Sequence, residues 1–278
     1  DARGSVEDLF GTPSGRIDAS ISAVDVSGAA EFLGSILPEN RAVAHLRRVA
    51  PALSPVKAEI SAEAGVSGAP LVVDFMGSFA ETHVKLTATG QGSVKDPKAL
   101  TGSVTLHVDG EDSAGVLAQL GLAPLPVQAG PLRFDMTFEG SPAAAGRLSV
   151  DASVAGVDVT YAADTVLREE AIHVAGDVAA ESVDIDPALL LAGLAVPGLG
   201  EGHPASARGR LEFRGGELSL ALTQAAFDGE PVAGSIQARF GAASRLAGSL
   251  DLKSASLPLL AAFGAGSPPV AQASGWSD

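Results

Sequence analysis

Residues 102–122 read GSVTLHVDGEDSAGVLAQLGL, and residues 176–196 read GDVAAESVDIDPALLLAGLAV. Each stretch opens with an alternation of apolar and polar residues that predicts a strand, and passes through a polar break into an apolar run that predicts a short helix. Looser copies open at Gly15 and Gly248, so the opening glycines lie 87, 74 and 72 residues apart. We therefore expect one structural unit that repeats, each copy burying its apolar face against the next.

The copies divide the chain into five segments. The first copy carries an insertion, ILPENRAVAHLRRVAPALSP at residues 36–55, which is expected to form a helix that ends near Pro51. The fourth copy stops after its helix-like run, so we expect the chain to be a piece of a longer protein. The segments are a lead-in (1–14), repeat 1 with its insertion (15–100), repeat 2 (101–172), repeat 3 (173–245) and a partial repeat 4 with a C-terminal tail (246–278).

The rest of each copy alternates with a period of two. In LRFDMTFEG (residues 132–140) apolar and polar residues alternate, as expected of a strand with one apolar face and one solvent-exposed polar face. Glycines such as Gly156 and Gly215 separate successive runs and favour tight antiparallel turns. The prediction is an α+β fold, predominantly β, in which an elongated, curved, groove-like antiparallel sheet is built from repeats with one short helix each.

Polar residues stand just before the predicted helices. A side-chain oxygen at this position accepts a hydrogen bond from a free N–H group in the first helical turn. Ser113 is expected to cap the helix of repeat 2 in this way, and Asp186 with Pro187 is expected to do the same before ALLLAGL (188–194) in repeat 3.

Charge and composition exclude several classes of partner and chemistry. Acidic residues outnumber basic ones 33 to 18, a net charge of −15, whereas nucleic-acid binding draws on clustered Lys and Arg. We expect no nucleic-acid partner, and we expect an anionic membrane surface to repel the chain. The absence of Cys excludes disulfides and thiolate sites without fixing the compartment. No apolar run reaches the length of about 18–20 residues that spans a bilayer, so the chain as given is expected to be soluble.

No constellation of residues predicts catalysis. The segment HVDGED contains Asp109 and Asp112 beside a glycine, but it lacks the other ligands of a calcium loop and is expected to be a solvated turn. Nucleophile elbows, phosphate-binding loops and dinucleotide fingerprints are all missing. We expect no enzymatic activity, no catalytic residue, no metal and no cofactor. Five histidines lack the spacing of a zinc site and are expected at surface or strand positions: His45, His83, His107, His173 and His203.

The recurring layout resembles a known family. A strand, a helix of the LL..LG type and then strands such as AGPLRFDMTFEGS (129–141) and FDGEPVAGSIQARFG (227–241) are similar to AsmA-like proteins of Gram-negative bacteria. The segment RRVAPALSPVKAEISAEAG (47–65) resembles the one that often precedes their sheet region. The resemblance covers about residues 15–265 and rests on pattern and spacing.

The resemblance implies a periplasmic protein of the cell envelope, tethered to the inner membrane by an anchor that this chain lacks. Proteins of this kind present a long groove lined by apolar side chains, which is thought to carry phospholipids toward the outer membrane during its biogenesis. The implied partners are a phospholipid or another acyl-chain lipid, and envelope proteins.

Two hypotheses for the apolar strand faces stay open. An uncovered face offers an acyl chain about 0.8 kcal/mol per buried methylene, which favours a lipid-binding groove. Alternatively each face packs on its own helix or on an opposing sheet, and the protein is a structural or interaction scaffold of the periplasm with a filled core and no ligand. A β-helical adhesin is disfavoured because its coils of about 20–25 residues are much shorter than these repeats. The groove hypothesis assigns the lining to Leu132, Phe134, Met136, Phe138, Leu148, Val150, Leu211, Phe213, Leu218, Leu220, Ile236, Phe240, Leu250 and Leu252.

Overall fold

The structure, a computed structural model, contains fourteen strands and four helices in the part of the chain that it describes. It describes residues 2–7, 14–37, 40–64, 70–92, 101–122, 129–141, 145–168, 171–191, 200–239 and 245–252. The helices are α1 (Ser27–Ile36), α2 (Arg41–Leu53), α3 (Ser113–Gln119) and α4 (Asp186–Leu191). The strands are β1 (Ala2–Glu7), β2 (Ser14–Ala23), β3 (Val56–Ala64), β4 (Leu71–Phe79), β5 (Thr82–Gln91), β6 (Thr101–Gly110), β7 (Leu132–Gly140), β8 (Gly146–Val154), β9 (Val157–Arg168), β10 (Ala171–Ser182), β11 (Ala205–Arg214), β12 (Glu217–Phe227), β13 (Glu230–Arg239) and β14 (Arg245–Leu252).

All of these strands form one long, curved, open sheet in which each strand pairs antiparallel with the next one along the chain. In three of the two-residue connections, Ala155–Gly156, Gly215–Gly216 and Asp228–Gly229, both residues have positive φ angles. Turns with this backbone match the twist of the flanking strands, so glycine is favoured there. The predicted predominantly β, α+β fold with a curved antiparallel sheet is confirmed.

The four opening glycines fall on every fourth strand: Gly15 on β2, Gly102 on β6, Gly176 on β10 and Gly248 on β14. In a sheet of consecutive antiparallel strands these four run in the same direction. Helices α1, α3 and α4 therefore follow β2, β6 and β10 at one and the same long edge of the sheet, which we call the helix edge.

An aspartate one or two residues before each of these three helices accepts a hydrogen bond from the start of the helix. Asp112 accepts hydrogen bonds from the N–H groups of Ala114 (3.3 Å) and Gly115 (3.1 Å). Asp25 accepts one from Ser27 N–H at 2.8 Å, and Asp184 accepts one from Asp186 N–H at 3.0 Å. The predictions that Ser113 and Asp186 cap their helices are wrong, because the cap of α3 is Asp112 and the Asp186 side chain bonds to the loop before β11 instead.

The side chains of Ser113 and Asp186 instead connect a helix to the segment that enters the next strand, and Ser54 makes a comparable connection in repeat 1. We call these three the corner residues. Ser113 and Asp186 lie at the start of α3 and α4 and bind the segments that enter β7 and β11. Ser54 lies between α2 and β3 and binds the residue before α1. Ser113 Oγ lies 2.9 and 3.0 Å from the carbonyl oxygens of Gly130 and Pro131, just before β7. Asp186 accepts from the N–H groups of Gly200 and Gly202 and binds His203, just before β11, while Ser54 accepts from Val26 N–H and donates to the Ala50 carbonyl.

The buried core lies along the helix edge. Ala114 of α3 and Leu191 of α4 form one cluster with Ala129 and Ala155, and Val56 and Leu132 are buried in the row of the sheet nearest that edge. Helix α2 packs between α1 and α3, and α3 packs against β6.

Helix α2 is the predicted insertion. It ends at Leu53, two residues beyond the predicted end near Pro51, and therefore contains this proline. A proline in the last turn removes a single backbone donor there, and the burial of Val49 and Ala50 outweighs that loss.

Candidate functional site

One face of the sheet is apolar from end to end. Residues directly opposite each other in an antiparallel pair lie on the same face, so the register can be followed from strand to strand. One such row crosses from β2 to β14 without a single polar side chain and, at about 4.8 Å between neighbouring strands, is about 60 Å long. Its members are Ile17, Ala62, Val73, Ala88, Val104, Phe138, Leu148, Ala163, Gly176, Leu211, Leu220, Ile236 and Gly248.

A second row runs beside it and has the same character. It begins at Ala19 on β2 and ends at Leu222 on β12, and its one polar group is the hydroxyl of Tyr161, which donates to the Leu211 carbonyl at 3.3 Å. We call the surface made by these rows the apolar face. The row consists of Ala19, Ile60, Phe75, Leu86, Leu106, Met136, Val150, Tyr161, Val178, Gly209 and Leu222.

The opposite face of the same strands is polar. Exposed ion pairs lie on it, including Arg210 with Asp177 at 3.8 Å and Arg208 with Glu181 at 3.3 Å. The two faces therefore differ in the way that the period-two alternation predicts. A typical row across the polar face is Asp18, Ser61, Asp74, Thr87, Thr105, Thr137, Ser149, Ala162, Asp177 and Arg210.

The structure brings eleven of the predicted lining residues together on the apolar face. Leu132 is buried beside the helix edge, and the other ten are half-buried. Leu250 and Leu252 lie in β14, where the Cα register places them opposite Gly234 and Val232. Phe240 lies outside the described residues. The eleven are Leu132, Phe134, Met136, Phe138, Leu148, Val150, Leu211, Phe213, Leu218, Leu220 and Ile236.

The set chosen from the sequence left out much of the same face. Ile60, Phe75, Leu86 and Leu106 belong to it, and so does Tyr161. Their strands alternate as clearly as LRFDMTFEG does, so the signal was present in each strand. The register that joins the strands into one surface is a property of the folded sheet.

Within the described residues, the helices cover only the margin of the apolar face. They pack against one another and, through α3, against the end of β6. Val56, Thr82 and Leu132 in the row next to the helix edge are buried, whereas Ile17, Ile21 and Ile60 in rows farther out on β2 and β3 are 38%, 61% and 40% exposed. The helices thus fill one margin and leave the remainder without a described element across it.

The polar face carries a cluster of titratable groups. His107 Nδ1 lies 2.6 Å from Asp135 Oδ1, and its other nitrogen contacts Asp109. The hydrogen bond to Asp135 raises the pKa of His107, and the bonds from His107 and Arg133 lower the pKa of Asp135. In the described part of the chain no three His, Asp or Glu side chains are arranged to hold a metal ion. The carboxylate of Asp112 caps α3, where it accepts from the N–H groups of Ala114 and Gly115.

His203 and Asp186 form the most buried titratable pair that the structure describes. His203 Nδ1 lies 2.8 Å from Asp186 Oδ1, with side-chain exposures of 13% and 4%, and the His203 ring stacks on Phe227. The hydrogen bond to Asp186 raises the pKa of His203. Burial acts to raise the pKa of Asp186, but the bonds from Gly200, His203 and Gly202 together lower it. His203 lies in the loop before β11 and not in a strand, its side chain is largely buried, and its pair with Asp186 ties α4 to that loop.

No protein-family model, curated protein or solved structure matches the chain. None of the helices in the described segments is long and apolar enough to cross a membrane.

Proposed function

We propose that this chain is a non-enzymatic segment whose apolar face binds the acyl chains of a phospholipid or a similar lipid. The observation that carries the proposal is the continuous apolar surface from β2 to β14, most of which no described element covers. Apolar patches on ordinary soluble monomers reach only about 300–600 Å², and larger ones mark interaction sites. An acyl chain laid on this surface gains about 0.8 kcal/mol for each methylene that it buries.

The shape of the surface supports a lipid better than a compact ligand. A face about 60 Å long, with no charged side chain in the two rows, suits an extended hydrocarbon chain. We propose that the segment contributes to lipid transport between the inner and outer membranes, as a periplasmic part of an AsmA-like protein tethered to the inner membrane. Support for that setting is the resemblance in layout and the four-strand repeat.

A scaffold with a filled core is the second candidate. Ala152 and Ala163, in the middle of the apolar face, are only 9% and 5% exposed. Phe134 pairs directly with Ala152, and Leu148 pairs directly with Ala163. Close packing of this kind is what a scaffold without a ligand would show throughout.

Native mass spectrometry of detergent-free protein, with lipid extraction of the same sample, tests the proposal. We expect phospholipid bound in a defined stoichiometry. A ligand-free mass that persists after incubation with phospholipid vesicles would contradict lipid binding and favour the scaffold.

Two substitutions on one strand locate the bound lipid. Phe134→Asp places a charge on the apolar face, whereas Thr137→Asp places it on the polar face of the same strand. We expect Phe134→Asp to lose bound lipid while the far-ultraviolet circular dichroism stays native, and Thr137→Asp to retain both. Phe213→Asp should repeat the result in repeat 3. Unfolding of both apolar-face variants would indicate a filled core, since a buried unpaired charge costs several kcal/mol. A folded and fully loaded Phe134→Asp protein would contradict both candidates.

A further inference from the structure

Three aromatic rings of the apolar face lie along the sheet, each with its outer end over a glycine. A Cβ atom added to Gly146 of β8 would lie 2.5 Å from Phe138 Cζ. A Cβ atom added to Gly77 of β4 would lie 2.9 Å from Phe75 Cζ and 2.7 Å from Phe79 Cε2. These separations are shorter than van der Waals contact, so the rings occupy space that exists only because both residues lack a side chain.

The backbone gives no other reason for a glycine at either position. Gly77 and Gly146 take part in regular antiparallel pairings without a bulge, and neither has a φ angle in the left-handed region. A glycine within a strand costs stability and usually marks a bulge, a bend or the close approach of another group. Here the close approach is that of the rings, and the Phe75 and Phe79 rings also stack on each other with 6.2 Å between their centroids.

Two of the rings lean away from the middle of the apolar face. Phe138 belongs to the first row described above, and its ring extends to Gly146, in the next row away from the helix edge. Phe75 belongs to the second row, and its ring extends to Gly77, in the next row toward the helix edge. Between these rings, on β5 and β6, the two rows hold only aliphatic side chains. The four residues, which we call the central strip, are Leu86, Ala88, Val104 and Leu106.

We propose that Gly77 and Gly146 are positioning residues for lipid binding. Because they let the rings lie along the sheet, the central strip stays open as a shallow path, and an acyl chain of a phospholipid lies along it. The inference rests on the proposed function and names the path of the chain on the same surface. The strip carries no polar side chain, so a hydrocarbon covers it without leaving a buried hydrogen-bonding group unpaired. That property favours an acyl chain over a peptide, whose backbone needs hydrogen-bond partners.

Gly77→Ala tests the proposal. The added methyl group takes the space of the Phe75 and Phe79 rings, so these rings must swing off the sheet. The Phe75 ring then stands at the edge of the central strip and obstructs it. We expect the variant to keep the native far-ultraviolet circular dichroism and to lose about half or more of the phospholipid that native mass spectrometry finds on the wild type.

Gly146→Ala repeats the test at the other end of the central strip. There the added methyl group displaces the Phe138 ring, and the Thr165 hydroxyl, 2.9 Å from the added atom, must also move. We expect the same loss of bound phospholipid. The two glycines lie in different strands and touch different rings, so an equal effect of both substitutions points to the strip between them.

Gly90→Ala is the matched control. Gly90 lies in β5, in the same cross-strand row as Gly146, and its φ angle is also outside the left-handed region. Apart from its chain neighbours, the nearest atom to an added Cβ is the carbonyl oxygen of Thr101, 3.9 Å away, so an alanine fits without displacing a ring. We expect this variant to carry as much phospholipid as the wild type.

A background without the rings separates their position from any other effect of the methyl group. With Phe75→Leu and Phe79→Leu both present, Gly77→Ala should cause no further loss of lipid, because no ring is left to displace. A purely structural role would give a different result. Urea denaturation would then show a lower stability for Gly77→Ala, while the folded protein would stay fully loaded.

Several results would overturn the proposal. Full loading of folded Gly77→Ala and Gly146→Ala overturns the role of the glycines and leaves lipid binding standing. An equal loss of lipid in Gly90→Ala does the same, and so does unfolding of both glycine variants, which would assign the rings to a packed core. A wild type that carries no phospholipid and takes none from vesicles overturns the proposed function together with this inference, so the two failures are distinguishable.

Discussion

The apolar face is open at its N-terminal end and closely packed in its centre. On β2 and β3, Ile17 and Ile60 are 38% and 40% exposed. On β8 and β9, in the centre, Ala152 and Ala163 are 9% and 5% exposed. Both regions are equally free of charge on this face, so apolar composition alone does not decide how much of a side chain is buried.

The size of the neighbouring side chains accounts for the difference. Ile17 lies opposite Ala62, whose side chain is too small to shield it. In the centre Phe134 lies opposite Ala152 and Phe138 lies opposite Leu148, so Ala152 and Leu148 each have a large aromatic neighbour. Interdigitation of this kind gives protein interiors their packing density. The comparison teaches that the same binary pattern can make either a packed surface or an open one.

The corner residues, too, are more buried in the second and third repeats than in the first. Ser113 and Asp186 are 0% and 3% exposed, whereas Ser54 in repeat 1 is half-buried. We therefore expect the corners of the second and third repeats to contribute more to the stability of the fold than the corner of the first.

The largest effect is expected from Asp186→Ala. The substitution leaves His203 and the N–H groups of Gly200 and Gly202 without their acceptor in a buried corner. Removing one partner of a buried pair costs about 3–5 kcal/mol, and we expect a loss of that size in the free energy of unfolding. Urea denaturation followed by circular dichroism measures it.

Ser54→Ala is the counterpart in repeat 1. Its hydroxyl is half-buried and water can replace the lost hydrogen bonds, so we expect a loss of about 1 kcal/mol. Equal losses for Ser54→Ala and Asp186→Ala would contradict a difference in firmness between the repeats.

Two truncations compare the exposed N-terminal end of the apolar face with its buried row beside the helix edge. Leu132→Ala removes a buried side chain and leaves a cavity, so we expect a loss of about 2–4 kcal/mol. Ile21→Ala removes a side chain that is 61% exposed, and the change in stability should stay within about 0.5 kcal/mol. The measurement is again urea denaturation. A large loss for Ile21→Ala would indicate that its surroundings in solution are packed, and the open end of the face would be ruled out.

Much of the fold could be predicted because its signals are local. Alternation defines each strand, glycine-containing turns connect several of them, and the chain meanders from each strand to the next, so no long-range pairing had to be guessed. The short helices of repeats 2 and 3 were visible in the apolar runs after Gly110 and Ser182. The chosen lining residues share one face for the same reason, since a period of two fixes which residues of a strand lie together.

The remaining features depend on residues that are distant in the sequence. Ser113 and Asp112 are adjacent and both are common helix caps, and contacts with Gly130 and Pro131 decide that Ser113 is buried. His203 meets Asp186 from 17 residues away. The apolar run in α1 has large residues on more than one side, so only its packing on α2 decides that Phe32 points outward.

A further effect, smaller than that of Asp186→Ala, is expected from pH at the corner of repeat 3. His203 has a raised pKa in the folded protein, so its contribution to stability is complete below its ordinary value of 6.5 and is lost as the pH rises through the raised pKa. Asp186 has a lowered pKa, so its contribution is complete above 3.8 and is lost as the pH falls through the lowered pKa. The pair therefore stabilises the protein fully between these two ordinary values.

The loss at high pH should be smaller than that caused by Asp186→Ala, because a neutral imidazole keeps a hydrogen bond to the carboxylate and loses only its charge. The measurement is the free energy of unfolding at pH 5.5 and pH 8.5 for the wild type and for His203→Gln. The difference between the two proteins isolates His203, since the exposed His107 is present in both and contributes equally. We expect the wild type to lose more stability than the variant over this interval. An identical pH dependence would mean that the pair adds no charge-dependent stability, and the firmness of the third repeat would then rest on the backbone hydrogen bonds from Gly200 and Gly202 alone.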